Sequence, residues 1–144
     1  MNIAENFKDK MLGIGRVVNC PKSAYEQRCM AAASNKDHVA IILSYSGKAT
    51  FLEPVVDILR KKKVDIILIG RLGNGNSVNY TNNHLYISDR ENLRNRISQF
   101  SSHIAMQYIL DIVFSCIFKL DYEKNIDYIK NVINYIDDRN IDEE

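Results

Sequence analysis

The sequence predicts an α/β protein built around a parallel sheet. Its two most apolar segments, residues 38–43 (HVAIIL) and 64–69 (VDIILI), each have the length of one strand. Nearly unbroken apolar runs of this length are typical of strands that are covered on both faces in a parallel sheet. The segment between them predicts a helix with one broad apolar face, formed by Phe51, Leu52, Val55, Val56, Ile58 and Leu59. Together they form a strand-helix-strand unit, whose crossover we expect to be right-handed.

The chain begins with a predicted helix and a short predicted strand. Residues 3–16 carry apolar side chains at helical spacing, and Gly13 and Gly15 supply a natural end to the helix. Residues 16–20 (RVVNC) contain two β-branched side chains and are followed by Pro21, which cannot donate to a sheet. We therefore predict a brief strand over residues 16–20.

Three more helices and one more strand complete the prediction. Residues 23–34 open with a Ser-x-x-Glu capping box and read as a helix. Residues 85–87 are a third, shorter strand candidate, and a long helix then follows residue 91 and runs to about residue 119. A last amphipathic helix over about residues 122–136 precedes an acidic tail, residues 137–144, which we expect to fray.

The long predicted helix is apolar on two faces. One face carries Leu93, Ile97, Phe100, Ile104, Tyr108, Ile112 and Cys116, and the second carries Ile109, Leu110, Val113, Phe114 and Ile117. A helix with so much apolar surface has to be covered on both sides, by its own sheet and by another subunit. We therefore expect a homodimer that forms through the helix around Ile97–Ile117.

Length and composition limit the classes of protein to which the chain can belong. Its 144 residues, 46% of them apolar, fit one domain over residues 1–136. Lysine plus arginine number 19 and aspartate plus glutamate 18, so the net charge of +1 gives no field that attracts nucleic acid or an anionic membrane. No apolar run approaches the roughly 18 residues that span a bilayer, and the N-terminus lacks the apolar region of a signal peptide. We expect a cytoplasmic protein that binds no membrane.

The cysteines predict neither a disulfide framework nor a metal site. Cys20, Cys29 and Cys116 are an odd number and lack the CxxC spacing of zinc sites. We interpret them as reduced thiols, and we expect no cofactor.

The segment LSYSG, residues 43–47, is the candidate ligand site. It follows the first predicted buried strand, and ligands of open parallel sheets bind beyond the carboxyl ends of the strands, where loops lead into helices. A helix N-terminus offers unpaired backbone N–H groups and the positive end of a dipole. Hydroxyl donors and a closely approachable backbone come from Ser44, Ser46, Gly47 and Thr50, and Lys48 adds a positive charge.

The same residues also allow a purely structural interpretation. Thr50 and Glu53 match a capping box, and serine before glycine is ordinary turn composition. Local chemistry alone leaves both interpretations open.

The segment VAIILSYSGKATFLEPVVDILRKKKVDIILIG resembles the core of the SIS (sugar isomerase) domain. The phosphosugar loop of that family has the pattern Ser-x-Ser-Gly-x-Thr after a strand, which Ser44, Ser46 and Gly47 match. IAENFKDKMLGIGRVV resembles the family's first helix and following strand, and RISQFSSHIAMQYILDIVF resembles the long C-terminal helix of RpiR/MurR-type transcriptional regulators. The resemblance covers about residues 3–120.

The resemblance implies both a fold and a function. The fold is a three-layer αβα arrangement with a mainly parallel, flavodoxin-like sheet. The implied function is the phosphosugar-sensing effector domain of an RpiR-like regulator, which binds a sugar phosphate without turnover. Its ligand-binding residues are Ser44, Tyr45, Ser46, Gly47, Lys48 and Thr50. The chain carries no recognition-helix module, so we expect no direct DNA binding by this chain alone.

Two other functions fit the same resemblance. The first is an aldose-ketose isomerase of phosphosugars, which needs a base, for which Glu53, His84 and His103 are the candidates. The second is a degenerate SIS domain that dimerises through its long helix and binds no ligand.

The chain departs from the family pattern at three places. Ala49 replaces the motif threonine, and Gly70-Arg71 ends the strand where the family has threonine and small polar residues. Arg71 could supply a different anion contact. Family members also carry a first strand and a glycine-serine loop ahead of the first helix seen here, preceded in the regulators by a helix-turn-helix domain. We therefore expect an N-terminally truncated SIS domain, whose sheet has an open strand edge or is completed by a partner subunit.

Overall fold

The computed structural model describes residues 2–45, 52–71, 83–87 and 100–137 of the chain. The elements in these residues are α1 (Ile3–Leu12), α2 (Ala24–Ala33), β1 (Val39–Leu43), α3 (Leu52–Lys61), β2 (Asp65–Arg71), β3 (Asn83–Ile87), α4 (Phe100–Leu120) and α5 (Tyr122–Ile136). They group into two compact units, one of Met1–Cys20 with Leu110–Glu144 and one of Pro21–Ile109. The helix α4 contributes residues to both units.

The sheet is parallel, as the two apolar runs predicted. The strand order is β1-β2-β3, and both neighbouring pairs are parallel. The pairing of Leu43 with Ile69 fixes the first register, and that of Arg71 with Ile87 fixes the second. In this register the carboxyl ends of all three strands lie at one edge of the sheet, which is where a parallel α/β fold binds its ligand.

The helix α3 covers one face of the sheet together with α2. Its apolar stripe joins the strands in a core whose buried members are Ala31, Leu52, Val56, Leu59, Val64 and Ile66. Lys63 has a left-handed backbone (φ 57°), and the next N–H, that of Val64, donates to the carbonyl of Leu59 at 3.0 Å. This hydrogen bond ends α3, and the chain then enters β2 directly, so it determines where β2 begins.

The predicted strand over residues 16–20 is wrong. These residues form no strand and pair with none of the three strands described. The exposure of these residues alternates as it does in a strand, since Val17 is 80% exposed and Val18 is half-buried. They nevertheless form no ladder of hydrogen bonds with a described strand. Because a strand is stabilised by its cross-strand neighbours, β-branched composition without a partner is not sufficient.

In the first unit, α1, α4 and α5 are joined by polar contacts. Lys10 pairs with Asp111 at 2.5 Å, and Arg16 pairs with Asp121 at 2.6 Å. The buried Asn125 donates to the carbonyl of Phe118 at 3.0 Å, which satisfies one of the carbonyls at the end of α4. The two ion pairs are partly exposed, so each contributes about 0–1 kcal/mol and mainly fixes orientation.

The helix α4 has one buried and one exposed stripe. Ser102, Met106 and Leu110 are buried, while Ile104, Tyr108 and Ile112 on the opposite side are 70%, 66% and 45% exposed. The prediction that no segment is long and apolar enough to span a bilayer is also wrong. Ser102–Leu120 meets that criterion by length and composition alone, which is weak evidence when a single helix does so.

The helical predictions agree with the described residues. The helices predicted over residues 23–34 and 122–136 correspond to α2 and α5, and α4 reaches residue 120. The first part of the long predicted helix, before residue 100, and the acidic tail beyond residue 137 lie outside the described residues.

The capping box of α2 yields a prediction about stability. The Ser23 hydroxyl accepts from the Glu26 N–H at 3.1 Å, and the Glu26 carboxylate accepts from the N–H groups of Lys22 and Ser23. These donors, that of Lys22 first, lower the pKa of Glu26. We expect Ser23→Ala to lower the free energy of unfolding by about 1 kcal/mol in urea titrations.

The matched control is Ser115→Ala. Ser115 is exposed and donates to the carbonyl of Asp111 within a helix, where alanine is the better helix former. Equal losses in the two variants would contradict a specific capping effect.

Candidate functional site

The ends of β1 and β2 bring four residues of the sequence together. The ladder continues beyond Leu43, because the Ser44 N–H donates to the carbonyl of Ile69 at 3.0 Å and the Arg71 N–H donates to the carbonyl of Tyr45 at 3.3 Å. Ser44 and Tyr45 therefore lie beside Gly70 and Arg71 at the carboxyl edge of the sheet. Both backbones are held by inter-strand hydrogen bonds, which gives the site a rigid base.

Glycine is required at position 70 by the close approach of β1. A Cβ atom built on Gly70 would clash with the carbonyl oxygen of Ser44, a backbone atom that cannot move aside without breaking the ladder. The departure from the family pattern at Gly70 therefore has a structural reason. The absence of a side chain also leaves room for His84, whose Nε2 would lie 3.6 Å from that Cβ.

Arg71 lies over the ring of Tyr45, near the start of the candidate loop. Its guanidinium carbon lies 5.9 Å from the centroid of the Tyr45 ring, within the range of a cation–π contact. Tyr45 is buried and Arg71 is half-buried. Alternation along the strands places this pair on one face of the sheet, and Ser44, Gly70 and His84 on the other.

His84 is a half-buried imidazole in the same region. Neither of its ring nitrogens is exposed, and neither has a hydrogen-bond partner within the described residues. The ring packs against Tyr86, with 4.0 Å between centroids. Burial lowers the pKa of His84, and the nearby backbone of Gly70 offsets this only in part. His84 is therefore favoured in its neutral form, with one donor and one acceptor nitrogen.

The structure describes two of the six predicted ligand-binding residues. Ser44 is half-buried and Tyr45 is buried, and both lie at the carboxyl end of β1 as predicted. The remaining four, Ser46, Gly47, Lys48 and Thr50, lie outside the described residues, as does Ala49.

The other two candidate bases lie on helices. Glu53 is exposed in the first turn of α3, and His103 is half-buried in the first turns of α4. Sequence reasoning treated His84 as a residue of a strand edge and did not foresee that its nitrogens are buried. The available signal was a histidine directly before the predicted strand over residues 85–87, together with a glycine directly after the apolar run of residues 64–69.

The fold and the geometry define an α/β protein with a candidate ligand site at the carboxyl edge of a parallel sheet. The family model of the SIS domain matches residues 1–110. The chain therefore belongs to the SIS domain family. A comparison with curated protein sequences gave no significant match.

Solved structures of low sequence identity share the fold. NanR of Vibrio vulnificus, solved in complex with ManNAc-6P, matches with a TM-score of 0.79 and 12% identity, over 93% of this chain and 51% of its own. The sugar isomerase domain of an RpiR transcription factor from Sphaerobacter thermophilus matches with a TM-score of 0.69 and 10% identity, over 92% and 72%. A hypothetical protein matches with a TM-score of 0.61 and 12% identity, over 87% and 69%.

These similarities confirm the predicted family and the three-layer αβα fold class. The chain spans about half the length of the NanR chain.

The burial of His84 predicts how stability depends on pH. Because the folded protein disfavours the charged ring, the unfolded chain binds more protons just below the ordinary histidine pKa of 6.5. Stability should therefore fall as the pH drops from 7.5 through 6.5 towards the lower pKa of the folded state. We expect the melting temperature of His84→Leu to depend less on pH over this window.

The control for this measurement is His38→Gln. His38 is exposed, so folding does not remove its ring from water. This variant should keep the pH dependence of the wild-type protein. An unchanged pH dependence in His84→Leu would show that His84 does not carry the effect.

Proposed function

We propose that the chain is the phosphosugar-sensing effector domain of an RpiR-like transcriptional regulator, with residues 1–136 as a single domain. It binds a sugar phosphate at the Ser44-Tyr45-Ser46-Gly47 loop, with Lys48 and Thr50 beside it, and does not turn it over. The observation that carries the proposal is that Ser44 and Tyr45 lie at the carboxyl edge of the sheet, next to the half-buried cation of Arg71.

The ligand class follows from the chemistry of this edge. The motif contributes hydroxyl groups, a glycine and a lysine immediately after the strand. Such groups at the start of a helix favour an anion with several acceptor oxygens, as a phosphate has. The similarity in fold to NanR, whose structure contains ManNAc-6P, supports a phosphorylated sugar as the ligand.

The binding is best tested by thermal shift against a panel of sugar phosphates: glucose, fructose, glucosamine and N-acetylmannosamine 6-phosphates. We expect at least one of them to raise the melting temperature of the wild-type protein. Ser44→Ala/Ser46→Ala should lose the shift relative to its own unliganded form, because each lost hydrogen bond to a charged group costs about 1.5–3 kcal/mol. Ser115→Ala, on the exposed side of α4, should keep it.

Each alternative function predicts a different result for the same samples. Absence of any shift in the wild-type protein would favour a degenerate SIS domain without a ligand. A shift that survives the double substitution would contradict the site. Conversion of a bound aldose phosphate into the ketose phosphate, or the reverse, detected by NMR, would show that the protein is an isomerase and not a sensor. His84 is the residue that favours this second candidate, since it is a neutral imidazole near the site.

We further propose a homodimer in which α4 of each subunit covers the other. The exposed stripe of Ile104, Tyr108 and Ile112 contains no charged side chain and repeats every four residues, so it forms one continuous apolar strip. A two-fold interface pairs such a strip with its own copy. The buried stripe on the opposite side of α4 then packs within its own subunit.

The dimer is tested by sedimentation velocity. Ile104→Glu/Ile112→Glu should shift the protein to the monomer, because a carboxylate at each position would be buried without a partner. Tyr135→Glu, at a residue 86% exposed on α5, should leave the dimer intact. A wild-type protein that sediments as a monomer at micromolar concentration would contradict the proposal.

We also propose a cytoplasmic location, without membrane insertion and without DNA binding by this chain alone. Asp111 lies in the middle of the apolar segment of α4 and pairs with Lys10 of α1. Charged groups at mid-helix are costly in a bilayer, which supports packing against protein rather than lipid. The net charge of +1 offers no electrostatic footprint for nucleic acid.

A further inference from the structure

The end of β2 carries a cation that has no anionic partner within the described residues. Arg71 is half-buried, and its Nε atom is buried without a hydrogen-bond partner in this part of the chain. None of the ion pairs found there, which are Lys8–Glu5, Lys10–Asp111 and Arg16–Asp121, involves it. A buried guanidinium N–H without an acceptor is unfavourable, so the arrangement favours an external anion.

The backbone and the neighbouring ring hold Arg71 in place. Its N–H donates to the carbonyl of Tyr45, and on the other side it pairs with Ile87 of β3. The guanidinium lies over the Tyr45 ring, which restricts the side chain further. Such restraint lowers the entropy that the side chain loses when it binds a ligand, and an arginine fork matches a phosphate with two parallel N–H donors.

We propose that Arg71, braced by Tyr45, binds the phosphate of the ligand and takes over the role of the donor lost at Ala49. This inference rests on the proposed phosphosugar site. It assigns the phosphate a charged donor in place of a neutral hydroxyl, so recognition depends more strongly on ligand charge than a hydroxyl-only loop would allow. Arg71 is a binding residue in this proposal and takes no part in any chemical step.

The first test measures affinity by isothermal titration of the glucose 6-phosphate and inorganic phosphate complexes. We expect Arg71→Gln to weaken both by about 10- to 100-fold, as for loss of hydrogen bonds between two charged groups. Lys61→Gln removes one positive charge from the exposed end of α3 and should change neither by more than about two-fold. In addition, Ala49→Thr should raise the affinity more in the Arg71→Gln protein than in the wild-type protein. In Arg71→Gln the added hydroxyl replaces a missing donor.

The second test reads phosphate binding in the wild-type protein and needs a variant only to assign one signal. In the wild-type protein the Nε–H signal of Arg71, identified by its absence in Arg71→Lys, should shift on titration with inorganic phosphate and stay in place with sodium chloride at equal ionic strength. An unmoved signal, or an affinity of Arg71→Gln equal to that of Lys61→Gln, would overturn the role of Arg71. If the wild-type protein still binds the sugar phosphate, the proposed phosphosugar site is unaffected by that result. Absence of binding to both probes and to the sugar phosphate panel in the wild type would instead overturn the proposed function.

Discussion

The geometry of the candidate site depends on one close approach of two backbones, that of Ser44 to Gly70. β1 and β2 are parallel, and their hydrogen bonds continue past the last residue of β1 to Tyr45 and Arg71. This continuation is possible only because position 70 has no side chain to meet the Ser44 carbonyl. The register that results brings the beginning of the candidate loop and the end of β2 to one edge. Without it, these two segments would not lie side by side.

The same register explains why the chemistry at this edge could not be predicted in full from the sequence. The strands themselves were predictable, because buried runs such as residues 38–43 and 64–69 carry their signal locally. The stacking of Arg71 on Tyr45 depends on pairing between strands about 26 residues apart, and a slip by one residue would move Arg71 to the opposite face. The burial of the His84 nitrogens depends in addition on the missing side chain of Gly70.

The correctly predicted helices and the incorrectly predicted strand over residues 16–20 show the same division between local and non-local signals. The capping box of Ser23 and Glu26 involves residues three positions apart, so the start of α2 followed from the sequence. Residues 16–20 had suitable composition but no partner strand, and partner geometry is not encoded in a five-residue segment. Similarly, the apolar stripes of α4 predicted a helix with two faces, but only the structure separates the buried stripe of Met106 from the exposed stripe of Tyr108.

The departures from the family pattern at Ala49 and Gly70-Arg71 are best understood as connected. A threonine at position 70 would collide with the Ser44 carbonyl in this register, so glycine there and arginine beside it form one arrangement. Glycine removes a polar side chain from the edge, and the adjacent arginine returns a donor that is longer, charged and restrained by Tyr45. A cation of this kind stabilises an anionic ligand in the ground state and offers no proton acceptor. Among the described residues at this edge, His84 is the candidate base, and it lies on the opposite face of the sheet from Arg71.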